Sequence, residues 1–235
     1  MCGRYVLERP VDQLLDHFEA KMWQEQSEFI WQANYNIAPT AVVPVVRLNR
    51  DRQRVVIPHQ WGLIPHWAKD PKIGAKMNNA RAETIFDKPS FRTPVRRYRC
   101  LVPASGYYEW QVPRQPKTPK QPWYIKPEDD TLFAMAGVCD HWALPNGQKL
   151  LTFAIVTCPA HTKIAHIHDR MPVMIDADDW AKWLDTEEQN VDDLGSLLTP
   201  SKRVEFYQVS RRVSATGARR EDGPTLIEPL IQAGD

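Results

Sequence analysis

The sequence of 235 residues lacks several features that would identify a function directly. It has four cysteines with no CxxC pair, and its 10 glycines form no glycine-rich phosphate loop. This composition argues against a disulfide scaffold, a standard zinc motif and a nucleotide-binding loop, and it indicates a reducing, intracellular setting. No apolar run approaches the ~18 residues of a membrane span, and the charged N-terminal segment is not a signal peptide. We expect neither a membrane partner nor a cofactor.

The chain also has no large excess of positive or negative charge, because the formal net charge is only +1. Any nucleic-acid site must therefore be a local basic patch, since the whole chain carries no basic signature. The hydrophobic content of 43% and charged content of 25% are ordinary for a globular protein. We find no internal repeat and no linker, so residues 1–235 are predicted to form a single domain.

Proline is abundant, with 20 residues, and this favours strands and turns over long helices. Ten segments have the apolar or alternating pattern of strands: residues 2–6, 42–48, 54–57, 99–103, 106–110, 123–125, 132–138, 150–157, 171–175 and 204–209. Short helices are expected after Pro10, over 81–86, over 159–165, after an Asp176 cap, and over 191–198. The predicted fold is α+β, with a mixed or antiparallel sheet curled toward a barrel and flanked by short helices.

The N-terminus, Met1-Cys2-Gly3-Arg4, has a chemical potential that no internal segment shares. Initiator methionine is usually removed when the second residue is small, and this would leave Cys2 with a free α-amine beside its thiol. The two groups titrate near ~8 and ~8.5 in free peptides, so both would be partly nucleophilic at neutral pH. Such a pair closes a thiazolidine ring on an aldehyde. The ordinary alternative is a terminus with an incidental cysteine.

Two internal segments place polar side chains where a strand-and-turn scaffold expects apolar ones. Asn79 and Arg81 follow a basic loop and could contact a phosphate or a sugar, although a helix cap with a surface salt bridge would look the same. Alternation in 106–110 places Glu109 on the face opposite Tyr108 and Trp110. A carboxyl among aromatic residues would have a raised pKa and could act as acid and base, or it could form a buried ion pair.

Two further segments are open to both a functional and an ordinary interpretation. His168 could shuttle protons near neutral pH, with Asp169 or Arg170 beside it, but it could also be a surface-loop histidine. The neighbouring histidines match no standard zinc spacing, so no metal is expected. Basic and aromatic residues suit a single-stranded nucleic-acid track or a solvated charged face: Trp67, Lys69, Lys72, Lys76, Arg96, Arg97 and Arg99.

Taken together, these segments resemble a known family over about residues 2 to 230. Six motifs occur in order: Met1-Cys2-Gly3-Arg4, Asn36-Ile37-Ala38-Pro39, Trp61-Gly62-Leu63-Ile64-Pro65-His66-Trp67, Asn79-Ala80-Arg81-Ala82-Glu83, Gly106-Tyr107-Tyr108-Glu109-Trp110 and Ile167-His168-Asp169-Arg170-Met171-Pro172. The set closely resembles the SRAP family (SOS-response-associated peptidase) of abasic-site-processing proteins. After residues 209–213, the continuation Ser214-Ala215-Thr216 departs from the family's asparagine-bearing sequence. One contact near the site, made by this late segment in the family, is therefore not predicted for this chain.

The resemblance implies a covalent sensor of abasic sites in single-stranded DNA, acting as a monomer in the cytoplasm, and on the nucleoid if the source is bacterial. Cys2 would be the nucleophile through amine and thiol, Glu109 and His168 would move protons, and Asn79 would hold the sugar or the terminus. The resemblance also implies DNA contacts. Arg4, Arg81 and Arg170 would bind phosphates, and Asn36, Pro39 and Trp67 would shape the strand.

The family name keeps a second class of function open, a thiol-dependent peptidase or autopeptidase that uses Cys2, Glu109 and His168, in the second case on its own N-terminus. A third class, a non-catalytic binder of single-stranded DNA, would need only the aromatic and basic residues. Both remain alternatives at the level of sequence.

Overall fold

The computed structural model describes residues 2–23, 29–113 and 115–230. The strands in that part of the chain are β1 (Arg4–Leu7), β2 (Lys21–Met22), β3 (Asn34–Ile37), β4 (Val42–Leu48), β5 (Arg54–Trp61), β6 (Asn79–Arg81), β7 (Arg99–Ala104), β8 (Gly106–Gln111), β9 (Gln121–Pro127), β10 (Phe133–Ala143), β11 (Lys149–Pro159), β12 (Arg170–Pro172), β13 (Met174–Ile175) and β14 (Val204–Gln208). The α-helices are short: α1 (Val11–His17), α2 (Pro94–Arg97), α3 (Trp180–Leu184) and α4 (Val191–Ser196).

Five strands close into a barrel, which confirms the predicted α+β architecture. β10 pairs with β11 and with β7, β7 pairs with β4, β4 pairs with β5, and the ring closes where β5 meets β11 in parallel. Closure removes unpaired sheet edges. A second sheet, in the order β14-β9-β8-β1-β3, lies beside the barrel.

Strands β1 and β8 separate two hydrophobic clusters, because alternate side chains point to opposite faces. Tyr107 is buried in the main core, whereas Tyr108 and Val6 belong to a smaller cluster on the other side. Gly106 is required here, since a Cβ at this position would lie 2.3 Å from the Tyr124 ring. The pairing of β1 with β8 therefore holds the N-terminal strand against the main core, as the pattern over 2–6 predicts.

The loop between β5 and β6 folds back on itself. Its two ends meet at Gly62 and Gly74, where a Cβ on Gly62, which has a φ of 123°, would lie 2.6 Å from the Gly74 carbonyl oxygen. Only glycine combines this φ with so close an approach. Trp142 holds the middle of this loop, because its Nε1 donates to the Ala68 carbonyl at 2.8 Å.

Several helix predictions are wrong, and tertiary pairing explains the clearest one. The segment predicted as helix 81–86 begins in β6, which pairs in parallel with β11, and continues as a 3-10 turn over Ala82–Thr84. The segment 159–165 forms turns, and Asp176 makes no side-chain cap, although the helix predicted after it is present as α3. By contrast, the strand predicted over 42–48 is β4, and the helix predicted over 191–198 contains α4.

Candidate active site

The site begins with the backbone of Cys2, which is clamped by two adjacent amides. Asn79 Nδ2 donates to the Cys2 carbonyl oxygen at 2.7 Å, and Asn78 Nδ2 lies 3.5 Å from the same oxygen. Both amides are held by β6, since Asn79 pairs with Ile155 of β11 and the Asn78 carbonyl accepts from the Ile155 N–H. The chain start is thus fixed against the barrel wall.

The Cys2 thiol is fully buried, and this changes its chemistry. Burial, followed by the nearby carboxylate of Glu109, raises the pKa of the Cys2 thiol far above its usual range. The expectation of a partly ionised thiol at neutral pH, taken from free peptides, is therefore wrong for this environment. The thiol needs a base to remove its proton before it can act as a nucleophile.

Glu109 has the properties of such a base. It lies on β8 with 2% of its surface exposed, on the core face as alternation predicts. Burial raises the pKa of Glu109 to about 7. A carboxyl with this pKa exchanges protons efficiently in both directions near neutral pH. The sequence-based expectation of a raised pKa is thereby supported, and the environment that causes it is a desolvated pocket.

His168 faces Glu109 from the turn that precedes β12. Its Nε2 lies 3.8 Å from Glu109 Oε2, and the Arg170 backbone N–H donates to its Nδ1 at 3.0 Å. Asp169 Oδ1 also lies 3.0 Å from Nδ1, so this nitrogen faces both a donor and an acceptor, while Nε2 is the ring nitrogen that faces Glu109. Burial lowers the pKa of His168, so the ring is predominantly neutral at pH 7. The imidazole is part of the same pocket and a quarter exposed, which leaves it accessible to a substrate.

Arg4 and Asn36 lie together and bind the C-terminal segment. Arg4 Nη1 donates to Asn36 Oδ1 at 2.7 Å and to the Val213 carbonyl at 3.1 Å. Asn36 is completely buried, and its Nδ2 donates to the Glu221 carbonyl at 2.8 Å. Their role in DNA contact stays a prediction, whereas their role in seating residues 213–221 is direct. Ser214, where the sequence departs from the family pattern, accepts from Trp110 Nε1 at 2.8 Å.

Arg170 is largely buried and bound within the protein. Its two terminal nitrogens donate to both carboxylate oxygens of Glu83, and Nη2 also donates to the Thr157 carbonyl at 2.6 Å. This bidentate pair links the turn after β6 to the start of β12. Arg170 therefore fixes the segment that carries His168, and its predicted contact with phosphate would require these bonds to be shared.

The remaining predicted DNA contacts lie at the surface. Trp67 is 52% exposed, Arg81 is exposed, and Pro39 is half-buried next to β4. Trp67 follows His66, whose backbone N–H and Nδ1 lie 3.0 and 3.1 Å from Asp140 Oδ2. Asp140 is 4% exposed, so this carboxylate fixes the base of the loop and the ring beyond it is presented to solvent.

Sequence reasoning missed three supporting residues. Asn78, the amide before Asn79, reaches the same Cys2 carbonyl, and no sequence pattern indicates this role. Glu83 and Asp140 were given no partner, because their partners are distant in sequence. A usable signal existed for Asp140, since a carboxylate in an otherwise apolar strand run must be hydrogen bonded.

Over residues 2–23, 29–113 and 115–230, no group of three or more metal-binding side chains could hold a metal ion. No helix within these ranges is long and apolar enough to cross a bilayer.

Comparison with known proteins identifies the family. The model of the SOS response associated peptidase (SRAP) family matches residues 1–216. A Bacillus subtilis protein named abasic site processing protein YoqW is 39% identical over 230 residues, covering 97% of this chain and 99% of its own. Abasic site processing protein HMCES of Rattus norvegicus is 30% identical, with 97% and 76% covered. The chain belongs to the SRAP family.

The fold agrees with that of a solved structure. A crystal structure of a protein from Bacteroides thetaiotaomicron superposes with a TM-score of 0.85 at 27% identity, covering 98% of this chain and all of that one. The closed barrel with its flanking sheet is therefore the architecture of that neighbour as well.

Proposed function

We propose that this protein processes abasic sites in single-stranded DNA by forming a covalent thiazolidine crosslink through Cys2 after removal of Met1. The observation that carries the proposal is the environment of Cys2. Its backbone is clamped by Asn79, and its thiol shares a desolvated pocket with Glu109 and His168. Similarity to relatives that are named abasic site processing proteins supports the choice of substrate.

The chemistry needs one condensation and one ring closure. An abasic sugar is mostly a closed hemiacetal, so a base must take the proton of its C1′ hydroxyl while an acid protonates the ring oxygen. The freed aldehyde then condenses with the Cys2 amine and loses one water to give an imine. Attack of the thiol on the imine carbon forms the C–S bond, and the thiol proton ends on the ring nitrogen. No oxidant or reductant is consumed.

Two groups divide the proton transfers. Glu109, with a pKa of about 7, takes the proton from the sugar hydroxyl and later from the buried thiol. The imidazolium form of His168 supplies a proton from Nε2 to the sugar oxygen and returns to the neutral imidazole. The raised pKa of the Cys2 thiol makes this assistance necessary, because the thiolate is not available on its own.

The amide oxygen of Asn79 provides a second interaction in this scheme. Its Nδ2 is bonded to the Cys2 carbonyl, while its Oδ1 is buried and, among the described residues, has no hydrogen-bond partner. An unsatisfied buried acceptor costs about 1–3 kcal/mol, so a donor in this place would be stabilising. The Cys2 amine or a sugar hydroxyl supplies such a donor.

The DNA strand would follow the exposed polar surface around the pocket, with Arg81 and Arg4 near phosphates and Trp67 against a base. Pro39 would shape its path, the buried Asn36 would act through its bond to Arg4, and Arg170 would support His168 and share its charge with a phosphate. We propose a monomer that acts in the cytoplasm, on the nucleoid if the source is bacterial. A missing base leaves space for this binding without the cost of base flipping.

A peptidase is less well supported. Thiol peptidases depend on a lowered cysteine pKa, and burial raises the pKa of Cys2 instead. A neutral thiol beside a carboxylate base suits the slow, reversible addition to an imine.

The proposal is tested by incubating the protein, with Met1 removal verified by intact mass, with abasic single-stranded DNA. We expect an adduct that survives a denaturing gel without borohydride, with the mass of protein plus DNA less one water. Cys139→Ala, which removes a buried thiol on β10, is the matched control and should crosslink normally.

Three results would count against the proposal. An adduct formed equally by Cys2→Ala would exclude the thiazolidine, and turnover of a peptide substrate that depends on Cys2 would favour the peptidase. Salt-sensitive binding with no adduct would identify a plain binder.

A further inference from the structure

A groove of about 1040 Å³ lies at the end of the barrel remote from Cys2. It is formed by the turns of the β4–β5 and β10–β11 hairpins and by the start of β7. Lys149, the first residue of β11, lines it, while Pro159, the last, pairs with Arg170 beside the candidate active site. An 11-residue strand spans about 33 Å, so the groove is separate from that site.

The groove concentrates positive charge in a chain whose net charge is only +1. Six cationic side chains line it, of which two are already engaged. Arg52 pairs with Asp185 at 3.1 Å and Glu187 at 3.3 Å, and Arg99 donates to backbone carbonyls such as that of Val95.

Four cationic side chains remain, and within the described part of the chain none of them has a carboxylate in ion-pair contact: Arg47, Arg50, Arg97 and Lys149. Uncompensated cations in one concave surface repel one another, and an anionic ligand relieves this repulsion.

Aromatic rings in the groove connect it to the Trp67 loop. Tyr98 lines the groove and meets the His141 ring edge-on at 6.3 Å. The next residue, Trp142, donates to the Ala68 carbonyl, one position after Trp67. The Trp67 loop is therefore linked to the groove through Trp142, His141 and Tyr98. Cations interleaved with aromatic rings are typical of surfaces that bind single-stranded nucleic acid.

We propose that this groove holds the sugar-phosphate backbone of single-stranded DNA beyond the Trp67 loop, as a second contact remote from Cys2. The inference deepens the proposed function and rests on it for the identity of the strand. The volume of about 1040 Å³ leaves room for more than one nucleotide, since it lies at the upper limit of the roughly 300–1,000 Å³ of pockets for single small molecules.

The test measures the affinity for a long undamaged oligothymidylate by fluorescence anisotropy at several salt concentrations. Arg50→Ala/Lys149→Ala removes two exposed cations from the groove, and Lys202→Ala/Arg203→Ala removes two exposed cations elsewhere. Each phosphate contact to a single strand contributes about 0.7 to the slope of log K against log salt, so the groove variant should lose about 1.4. The control variant should match the wild type, and Arg50→Lys/Lys149→Arg should restore the slope.

Other outcomes overturn the inference. An unchanged slope in the groove variant, with binding intact, excludes a strand contact. Protection against heat by a nucleoside triphosphate, lost only in the groove variant while oligothymidylate binding is unchanged, would make this a mononucleotide site. Because the DNA carries no abasic site, failure of the crosslink affects only the proposed reaction and leaves this measurement independent.

Discussion

Cys2 and Cys139 are both buried, and the side chains around them differ. Cys2 shares its pocket with Glu109 and His168, whose side chain is 25% exposed. Cys139 lies inside the barrel beside Cys100 and His59, and His59 is 1% exposed. Burial alone therefore does not distinguish a reactive thiol from a core thiol.

The surroundings of Cys2 and Cys139 differ in three respects: the backbone nitrogen, the presence of a base, and access for a substrate. The nitrogen of Cys139 is a peptide N–H that donates to the Tyr98 carbonyl at 2.7 Å, so it cannot form an imine. Cys2 alone can acquire a free amine, and Glu109 beside it titrates near neutral pH. The proposed reactivity depends on these partners, because the thiol pKa by itself would make Cys2 inert.

The largest expected effect separates the two sulfur atoms. Cys2→Ser keeps the amine and the approximate shape but removes the thiol, so only a hydrolysable imine or a slow oxygen analogue can form. We expect loss of the heat-stable adduct, with recovery of a linkage only when borohydride is present. Cys139→Ser should keep the stable adduct. A stable adduct in Cys2→Ser would show that sulfur is not required.

The next effect concerns the base. Glu109→Gln keeps the shape and burial of the side chain but cannot accept a proton at neutral pH. We expect crosslinking to slow by about 10²–10⁴-fold, which is the usual contribution of a general acid–base group. Binding of undamaged single-stranded DNA should change less than twofold. An equal loss of rate and binding would show instead that Glu109 is structural.

A smaller effect follows from the pKa of Glu109. The active form is the carboxylate, so lowering the pH through about 7 converts the base to its inactive acid. The ratio of wild-type to Glu109→Gln crosslinking rates should therefore fall about tenfold per pH unit below 7 and level off above it. Taking the ratio cancels the titration of the Cys2 amine, which both proteins share. A flat ratio would exclude Glu109 as the titrating base.

The sequence predicts several strands, but it does not predict the contacts between segments that are distant in the chain. The apolar run 42–48 is sufficient to place β4, since such a run fits a buried strand. The segment 81–86 could not be placed in this way, because β6 forms only through its parallel pairing with β11. A three-residue strand has too little pattern of its own to be recognised.

The same division applies to the candidate site. Alternation along β8 places Glu109 on the core face, and its raised pKa follows from that burial. The bidentate hold of Arg170 on Glu83 joins residues 87 positions apart, so no local pattern reveals it. The thiol pKa of Cys2 was likewise inaccessible, because it depends on the depth of the pocket and on the approach of Glu109.

The smallest expected effect concerns Cys139, the cysteine in the barrel core. Cys139→Ala removes a sulfur atom that packs inside the barrel, where every buried atom contributes to packing. We expect a loss of about 1 kcal/mol in the free energy of unfolding, measured by urea denaturation, and an unchanged crosslinking rate. Cys2→Ala supplies the opposite pattern, with loss of crosslinking as its main consequence. If Cys139→Ala instead slowed crosslinking without destabilising the protein, the barrel interior would be coupled to the site, and the two neighbourhoods could no longer be treated as independent.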